Sequence, residues 1–120
     1  MILVDTSLWV EHLRRRHEGL THRLERGEVA CHPFIVGEIS LGSLRQRDDV
    51  LGLLSELPAA SVVPQHDMQT LVERLSLAGK GIGWVDAHLI ASAFVDGMRL
   101  WTLDRRLGRV ARAINLHALE

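Results

Sequence analysis

The sequence predicts an α/β fold, a three-layer α/β/α sandwich in which helices cover both faces of a central, mainly parallel β-sheet. Short apolar runs rich in β-forming residues alternate with longer amphipathic segments, which is the pattern of strand-helix-strand units. The chain has 120 residues, the usual size of one domain, and no linker or repeat divides it. We therefore expect residues 1–120 to form a single domain.

The composition is that of a globular protein, with 47% hydrophobic and 24% charged residues. A formal net charge of −1 gives no overall attraction to nucleic acid, so such binding would need local basic clusters. The single cysteine, Cys31, excludes an internal disulfide and a Cys-rich zinc site. The N-terminus lacks the pattern of a secretory signal, and no stretch has the roughly 20 apolar residues that span a bilayer. We expect a cytoplasmic protein with no membrane partner.

The first half of the chain predicts three strands and four helices. The apolar run at residues 2–4 stops at Asp5, where a helix start follows. Pro33 suits the first turn of a helix, whereas Pro58 and Pro64 end the segments before them. The predicted strands are 2–4, 29–31 and 61–63, and the predicted helices are 8–16, 20–26, 33–45 and 50–57.

The second half predicts three helices and two strands. A glycine loop at residues 79–83 separates an amphipathic helix from an apolar one, and Gly97 ends the apolar helix as a C-cap. The predicted helices are 68–78, 85–95 and 105–113, and the predicted strands are 100–103 and about 115–119.

Two aspartates follow predicted strands. Asp5 and Asp104 each come after an apolar strand and before a helix, which places both at the carboxyl edge of a parallel sheet. Ligand sites of α/β folds gather at that edge. Aspartate is also a good helix N-cap, and for either residue alone this purely structural role stays open.

Two further acids lie on predicted helices. Glu38 shares a helix face with Ile35 and Leu41, which puts an acid on an apolar stripe. Asp86 begins the apolar face that continues through Leu89, although a first-turn acid also suits the helix dipole. These two positions are harder to explain by structure alone than the two strand ends.

Several carboxylates at one sheet edge would repel one another unless a cation or protons neutralised them. All-oxygen ligands without a Cys/His cluster favour Mg²⁺ or Mn²⁺. Such an ion suits phosphodiester hydrolysis by an activated water, with no protein nucleophile. The hydroxyls of Thr6, Ser7 and Thr102 could orient the carboxylates or the metal's waters, and each also suits a capping or surface role.

Four segments of the chain, taken together and in order, form a characteristic set. They are MILVDTSLWVEHL, FIVGEISLGSL, VDAHLIASAFVDG and LWTLDRRL. These segments resemble those of PIN-domain ribonucleases and look most like those of the VapC toxins, and the resemblance covers nearly the whole chain. Arg105, Arg106 and Leu107 follow Asp104 where many relatives have a further acid, which leaves the number of metals open.

The resemblance implies a PIN-like α/β/α sandwich and a toxic, metal-dependent endoribonuclease of a bacterial type II toxin-antitoxin module. It implies Mg²⁺ or Mn²⁺ as cofactor, an RNA substrate, and inhibition by a cognate VapB-type antitoxin. It also implies a homodimer or a hetero-oligomer with the antitoxin. The implied catalytic and metal-binding acids are Asp5, Glu38, Asp86 and Asp104, with Ser7 and Thr102 as polar neighbours.

Three residues are candidates for RNA contact. Arg105 and Arg106 flank Asp104, whereas most other arginines fit solvated helix faces. Trp84, close before Asp86, is the better aromatic candidate for touching a base. The seven histidines show no zinc-motif spacing and are interpreted as core or surface residues. The apolar residues between positions 41 and 54 exceed what a small core buries, so we expect an antitoxin groove or a dimer contact there.

Two other classes of protein compete with this interpretation. A phosphoryl-transfer protein with a nucleophilic aspartate, such as a response-regulator receiver or a haloacid-dehalogenase phosphatase, would also place Asp5 at a strand end. The second acid expected two residues after a dehalogenase nucleophile is missing, and the only lysine is Lys80. A non-catalytic RNA- or partner-binding PIN-like module stays open, and it predicts that substitution of the acids leaves function unchanged.

Overall fold

Three parallel strands form the central sheet, in which residues 2–4 lie between residues 29–30 and residues 99–101. The computed structural model describes residues 1–118. In the register, Leu3 of the central strand lies opposite Ala30 on one side and Leu100 on the other. This is the parallel sheet that the sequence predicts. The strands are β1, Ile2–Val4, β2, Val29–Ala30, and β3, Arg99–Trp101.

Seven helices of the described residues flank the sheet, as expected for an α/β sandwich. Each predicted helix is present, and the last has the predicted bounds. No helix within residues 1–118 is long and apolar enough to cross a membrane. The helices are α1, Thr6–Arg14, α2, Glu18–Glu25, α3, Pro33–Ser40, α4, Arg47–Glu56, α5, Gln65–Arg74, α6, Trp84–Asp96, and α7, Arg105–Ala113.

Helix α3 ends at Ser40, well before the predicted end at residue 45. Ile39 is buried, but Leu41 is 89% exposed. Extension of the helix beyond Ile39 would therefore bury little further apolar surface. The N–H of Leu41 bonds to carbonyls of the last turn, and Gln46 adopts a left-handed conformation with φ of 51° just before α4. The interpretation of a single helix over residues 33–45 was therefore wrong at its C-terminal end.

Neither outer strand of the prediction forms a regular strand within residues 1–118. No strand forms at residues 61–63, because the Ser61 N–H donates to the Asp96 side chain at 2.7 Å instead of to a neighbouring strand. The sheet contact comes earlier, where Ala59 bridges Cys31 in parallel. At the other edge His117 bridges Leu100, and residue 119 of the predicted terminal strand lies outside the described residues.

Helix α6 is the most buried helix and positions one candidate acid. Every residue from 87 to 93 is buried in it, and Gly97, with φ of 67°, caps its C-terminus. Its N-terminus follows the glycine loop and carries Asp86 in the first turn. The core therefore fixes Asp86 relative to the sheet through the whole length of α6.

Candidate active site

Asp5 lies directly after β1 and is buried, with 5% of its surface exposed. It is the N-cap of α1, and its Oδ2 atom accepts a long bond of 3.4 Å from the Ser7 N–H. The same oxygen accepts shorter bonds from two hydroxyls, Ser7 Oγ at 2.8 Å and Thr102 Oγ1 at 2.7 Å. Asp5 is both a cap and the most tightly held carboxylate of the sheet edge.

Ser7 and Thr102 connect Asp5 to the end of β3. The Leu103 N–H donates to Ser7 Oγ at 3.0 Å, and the Asp104 N–H donates to Thr102 Oγ1 at 3.0 Å. Each hydroxyl thus accepts from the backbone and donates to the Asp5 carboxylate. This arrangement aligns the two strand ends and sets the position of Asp104 relative to Asp5.

Glu38 is exposed, which contradicts its interpretation as an acid on an apolar stripe. The buried residues of α3 are Ile35 and Ile39, and Glu38 lies beside this buried stripe at its solvent-facing edge. Its Oε1 atom accepts a 2.7 Å hydrogen bond from Thr6 Oγ1 at the start of α1. Thr6 directly follows Asp5 and thus holds the Glu38 carboxylate near it.

Asp86 is half-buried, and its pKa is raised above the ordinary value, first by desolvation and then by repulsion from Asp5. Repulsion from Asp104 and Glu38 raises the pKa further, whereas a hydrogen bond with the Gly83 backbone lowers it. The negative fields of the other three acids therefore meet at Asp86. Carboxylates that lie near one another raise each other's pKa in this way.

Asp104 is exposed and is the N-cap of α7. Its Oδ1 atom accepts a 2.9 Å bond from the Leu107 N–H. The second oxygen has no hydrogen bond among the described residues and is available to a ligand. The capping role that stayed open from sequence is real, and it leaves half of the carboxylate for another function.

The four acids suit a divalent cation by chemistry but do not form a closed cage. Among residues 1–118, no group of three His, Cys, Asp or Glu side chains stands tightly enough to hold one metal ion. Mg²⁺ commonly keeps several waters and takes only one or two protein carboxylates. An open set of acids, crowded enough to raise the pKa of Asp86, fits such an ion better than it fits a structural metal.

A sequence model of the PIN domain matches residues 2–113 of the chain. The chain belongs to the PIN-domain family. Two relatives from Mycobacterium tuberculosis, strains CDC 1551 and H37Rv, are each named Ribonuclease VapC32. Each is 50% identical over 108 residues, which cover 89% of this chain and 87% of the relative. The resemblance to VapC members seen in the sequence is thereby confirmed.

In this PIN domain the three predicted RNA-contact residues have exposed side chains, and one of them lines a cleft with Asp104. Trp84 is 46% exposed, and its ring meets His88 edge-on at a centroid distance of 5.0 Å. Arg105 and Asp104 line one cleft of about 310 Å³. Arg106 lies farther along, against the glycine loop, where a Cβ added to Gly81 would be 3.2 Å from the arginine Cδ.

Two arginines of α7 were assigned by sequence to solvated helix faces and prove to line the same cleft as Asp104. These are Arg109 and Arg112. The spacing of four and seven residues from Arg105 puts all three on one side of the PIN domain's last helix. The sequence shows this spacing of the three arginines. It does not show that the cleft beside Asp104 lies on the same side of the helix.

His32 is the most buried histidine and serves the fold. Its Nδ1 atom accepts from the Phe34 N–H at 3.0 Å as an N-cap, which leaves Nε2 to donate to Ser92 Oγ at 3.0 Å. Ser92 donates in turn to the Ser61 carbonyl at 2.6 Å. Burial lowers the pKa of His32 to about 4, helped by nearby His88. The interpretation of histidines as core residues fits this network.

Proposed function

We propose that this PIN domain is a Mg²⁺- or Mn²⁺-dependent endoribonuclease and the toxin of a type II toxin-antitoxin module. The observation that supports it most is that burial and then repulsion from Asp5, Asp104 and Glu38 raise the pKa of Asp86, which indicates that the four carboxylates lie near one another. The name Ribonuclease VapC32 of two relatives at 50% identity supports the RNA substrate. We place the protein in the cytoplasm, as one domain.

Each acid has a distinct position in the proposed reaction. Two hydroxyls fix the orientation of the Asp5 carboxylate, and the negative charge of Asp5 acts on Asp86. When bound, a divalent cation would lower the pKa of an attacking water and stabilise the charge on the leaving oxygen. Glu38 and Asp104 are exposed, so each can orient water or accept a proton. Ser7, Thr6 and Thr102 are positioning residues.

The surface around the acids suits an RNA chain. Arg105 contributes positive charge beside Asp104, and Arg106 extends it toward the glycine loop. Trp84 presents an exposed ring on which a base can stack. Contacts to the phosphate backbone would give binding that weakens with salt.

An open groove of about 720 Å³ beside Glu38 suits a VapB-type antitoxin. Its apolar lining includes Val10 and Leu13 of α1, which are 44% and 39% exposed, and Leu44 and Val50. An amphipathic helix laid there would bury these side chains and cover Glu38. We propose inhibition by this route, with the toxin acting as a homodimer or as a hetero-oligomer with its antitoxin.

A second candidate is a PIN-like module that binds RNA or a partner without cleaving it. The lack of a tight three-ligand group among residues 1–118 favours it, as do the capping roles of Asp5 and Asp104. Under this alternative the acids serve structure alone. Loss of an acid would then change stability and leave RNA intact in all samples.

Incubation of purified, antitoxin-free protein with total RNA tests the proposal. We expect fragments with Mg²⁺ or Mn²⁺, none with EDTA, and none with Asp5→Ala or Asp86→Ala. Asp67→Ala, which removes an exposed acid from the first turn of α5, is the matched control and should cleave like the wild type. If well-folded wild-type protein leaves the whole pool intact, the binding-module alternative replaces the nuclease.

A further inference from the structure

A second cleft, of about 590 Å³, lies between the C-terminal end of α5, the glycine loop and α7. Four cationic side chains line it, and none of its lining residues is acidic. Its floor is apolar, with Val110 and Ile114. We call it the basic cleft, and its cations are Arg74, Lys80, Arg106 and Arg109.

The four cations are exposed and are not neutralised locally. Within residues 1–118, the ion pairs involve other arginines, Arg16, Arg23 and Arg26, all near the start of the chain. Four like charges around one concave surface repel one another, which costs free energy unless an anion occupies the space. In a chain with net charge −1, this concentration is a local feature that overall charge conceals.

The basic cleft is connected to the acidic site. Arg109 lines both the basic cleft and the smaller cleft that contains Asp104. Arg106 packs its aliphatic part against Gly81, whose φ of 78° and close approach leave no room for a side chain. The glycine loop then leads directly into α6 and Asp86. A chain of phosphates could therefore follow one continuous positive surface from the basic cleft to the acids.

We propose that the basic cleft binds the phosphodiester backbone of the RNA substrate on one side of the cut site. The inference rests on the proposed ribonuclease function and extends it by assigning Arg74 and Lys80, which lie away from the acids. Arg109 lines both clefts, so the two form one surface. This surface suits an extended polyanion, because a single phosphate would occupy only one end of it. Phosphate contacts of this kind give affinity without sequence selectivity.

Fluorescence anisotropy with a labelled oligouridylate, in EDTA at several salt concentrations, tests the proposal. The variant is Arg74→Gln with Lys80→Gln. The control is Arg15→Gln with Arg16→Gln, which removes the same charge from exposed residues outside the basic cleft. Loss of two phosphate contacts should weaken binding about 20-fold at roughly 0.1 M salt and reduce the salt slope by about 1.4. The control should bind nearly as the wild type does.

The possible outcomes separate this inference from the function on which it rests. Circular dichroism checks that both variants fold, and Arg74→Glu with Lys80→Glu should weaken binding further. If the wild type cleaves RNA while the basic-cleft variants bind oligouridylate as the control does, the inference is wrong and the nuclease stands. If the basic-cleft variants bind RNA like the wild type but no longer bind the antitoxin, the cleft binds an acidic protein segment and our proposal is wrong. If the basic-cleft variants bind RNA more weakly but neither they nor the wild type cleaves it, the cleft remains an RNA-binding site and the proposed nuclease function is wrong.

Discussion

At the scale of single residues, the Asp5 carboxylate depends on its two hydroxyl partners. Ser7 and Thr102 each donate to Oδ2, and each also accepts from a backbone N–H at the end of β3. Removal of either hydroxyl leaves a backbone donor unpaired and a carboxylate less well oriented. Such positioning groups affect metal affinity or activity through the ligand that they orient.

Thr102→Val should lower the rate of RNA cleavage about 10- to 100-fold and destabilise the fold by about 1 kcal/mol. Thr102→Ser retains the hydroxyl and should recover most of the rate. Thr70→Val, on the exposed side of α5, controls for the substitution itself. Cleavage by Thr102→Val at the wild-type rate would show that the hydroxyl has no positioning role.

The buried His32 should make stability depend on pH. Its pKa is about 4 in the folded protein because burial outweighs the attraction of Asp96, and His88 lowers it further. The unfolded value is near 6.5, so only the unfolded state takes up the proton between these values. The free energy of unfolding should therefore be largest above pH 6.5 and fall by up to about 3 kcal/mol as the pH drops toward 4.

Urea unfolding of His32→Asn at several pH values checks this prediction. Asparagine can still accept the Phe34 N–H as an N-cap, but it does not titrate. The variant should be less stable at neutral pH and should lose less stability on acidification. His66→Asn, at an exposed position on α5, should keep the wild-type pH dependence. Equal pH dependence of all three proteins would show that His32 is not the responsible group.

At the scale of elements, α6 transmits the packing of the core to the acidic site. It is buried along most of its length, begins after the glycine loop and ends at Gly97. The left-handed conformation of Gly97 lets the chain turn directly into β3. This end of α6 lies far along the helix from Asp86. A change there should therefore affect the stability of the fold more than the acidic site.

Gly97→Ala should destabilise the fold by about 1 kcal/mol, because alanine is strained at positive φ. Gly52→Ala, inside α4, should have the opposite sign, with a gain of about 0.5–1 kcal/mol, since a Cβ there meets no atom within 4 Å. Thermal unfolding should show midpoint shifts of about 4 °C per kcal/mol in opposite directions. Shifts of the same sign would contradict the assignment of these two backbone positions.

The sequence predicts the elements that have strong local signals. The run at residues 2–4 and the helix at 105–113 are as expected, because strand periodicity and the Asp104 cap are local. The predicted strand at residues 61–63 is absent, because a contact distant in sequence, between Ser61 and Asp96, decides the backbone bonding there. The predicted terminal strand keeps one parallel bridge, between His117 and Leu100. Glu38 lies at the exposed edge of the buried stripe of α3 and not within it, since periodicity cannot tell which of two apolar edges of a short helix enters the core.

At the scale of the whole molecule, three surface regions border the part of the surface that carries the acids. The basic cleft approaches from α7, the apolar groove from α1 and α3, and Trp84 from the start of α6. Such a division allows RNA and an antitoxin to approach from different sides while both reach the acidic site. If the proposed function is right, a substitution in the apolar groove should weaken inhibition by the antitoxin without loss of RNA cleavage.

Val10→Glu should weaken inhibition by the antitoxin at least about 10-fold while leaving the fold intact, because it places a charge in the apolar groove. Val62→Glu is a close control, since Val62 is 45% exposed, Val10 is 44% exposed, and only Val10 lines the groove. The measurement is RNA cleavage at increasing antitoxin concentration. Equal inhibition of both variants would place the antitoxin elsewhere.

The most direct measurement for the central claim is the rate of RNA cleavage as a function of Mn²⁺ concentration for the wild type, Asp86→Asn and Asp49→Asn. Asp49 is an exposed acid in the first turn of α4, so its variant matches the chemical change outside the site. We predict saturation with Mn²⁺ for the wild type and Asp49→Asn, and a loss of more than about 100-fold for Asp86→Asn. Cleavage by folded Asp86→Asn with the rate and Mn²⁺ dependence of the wild type would contradict the account.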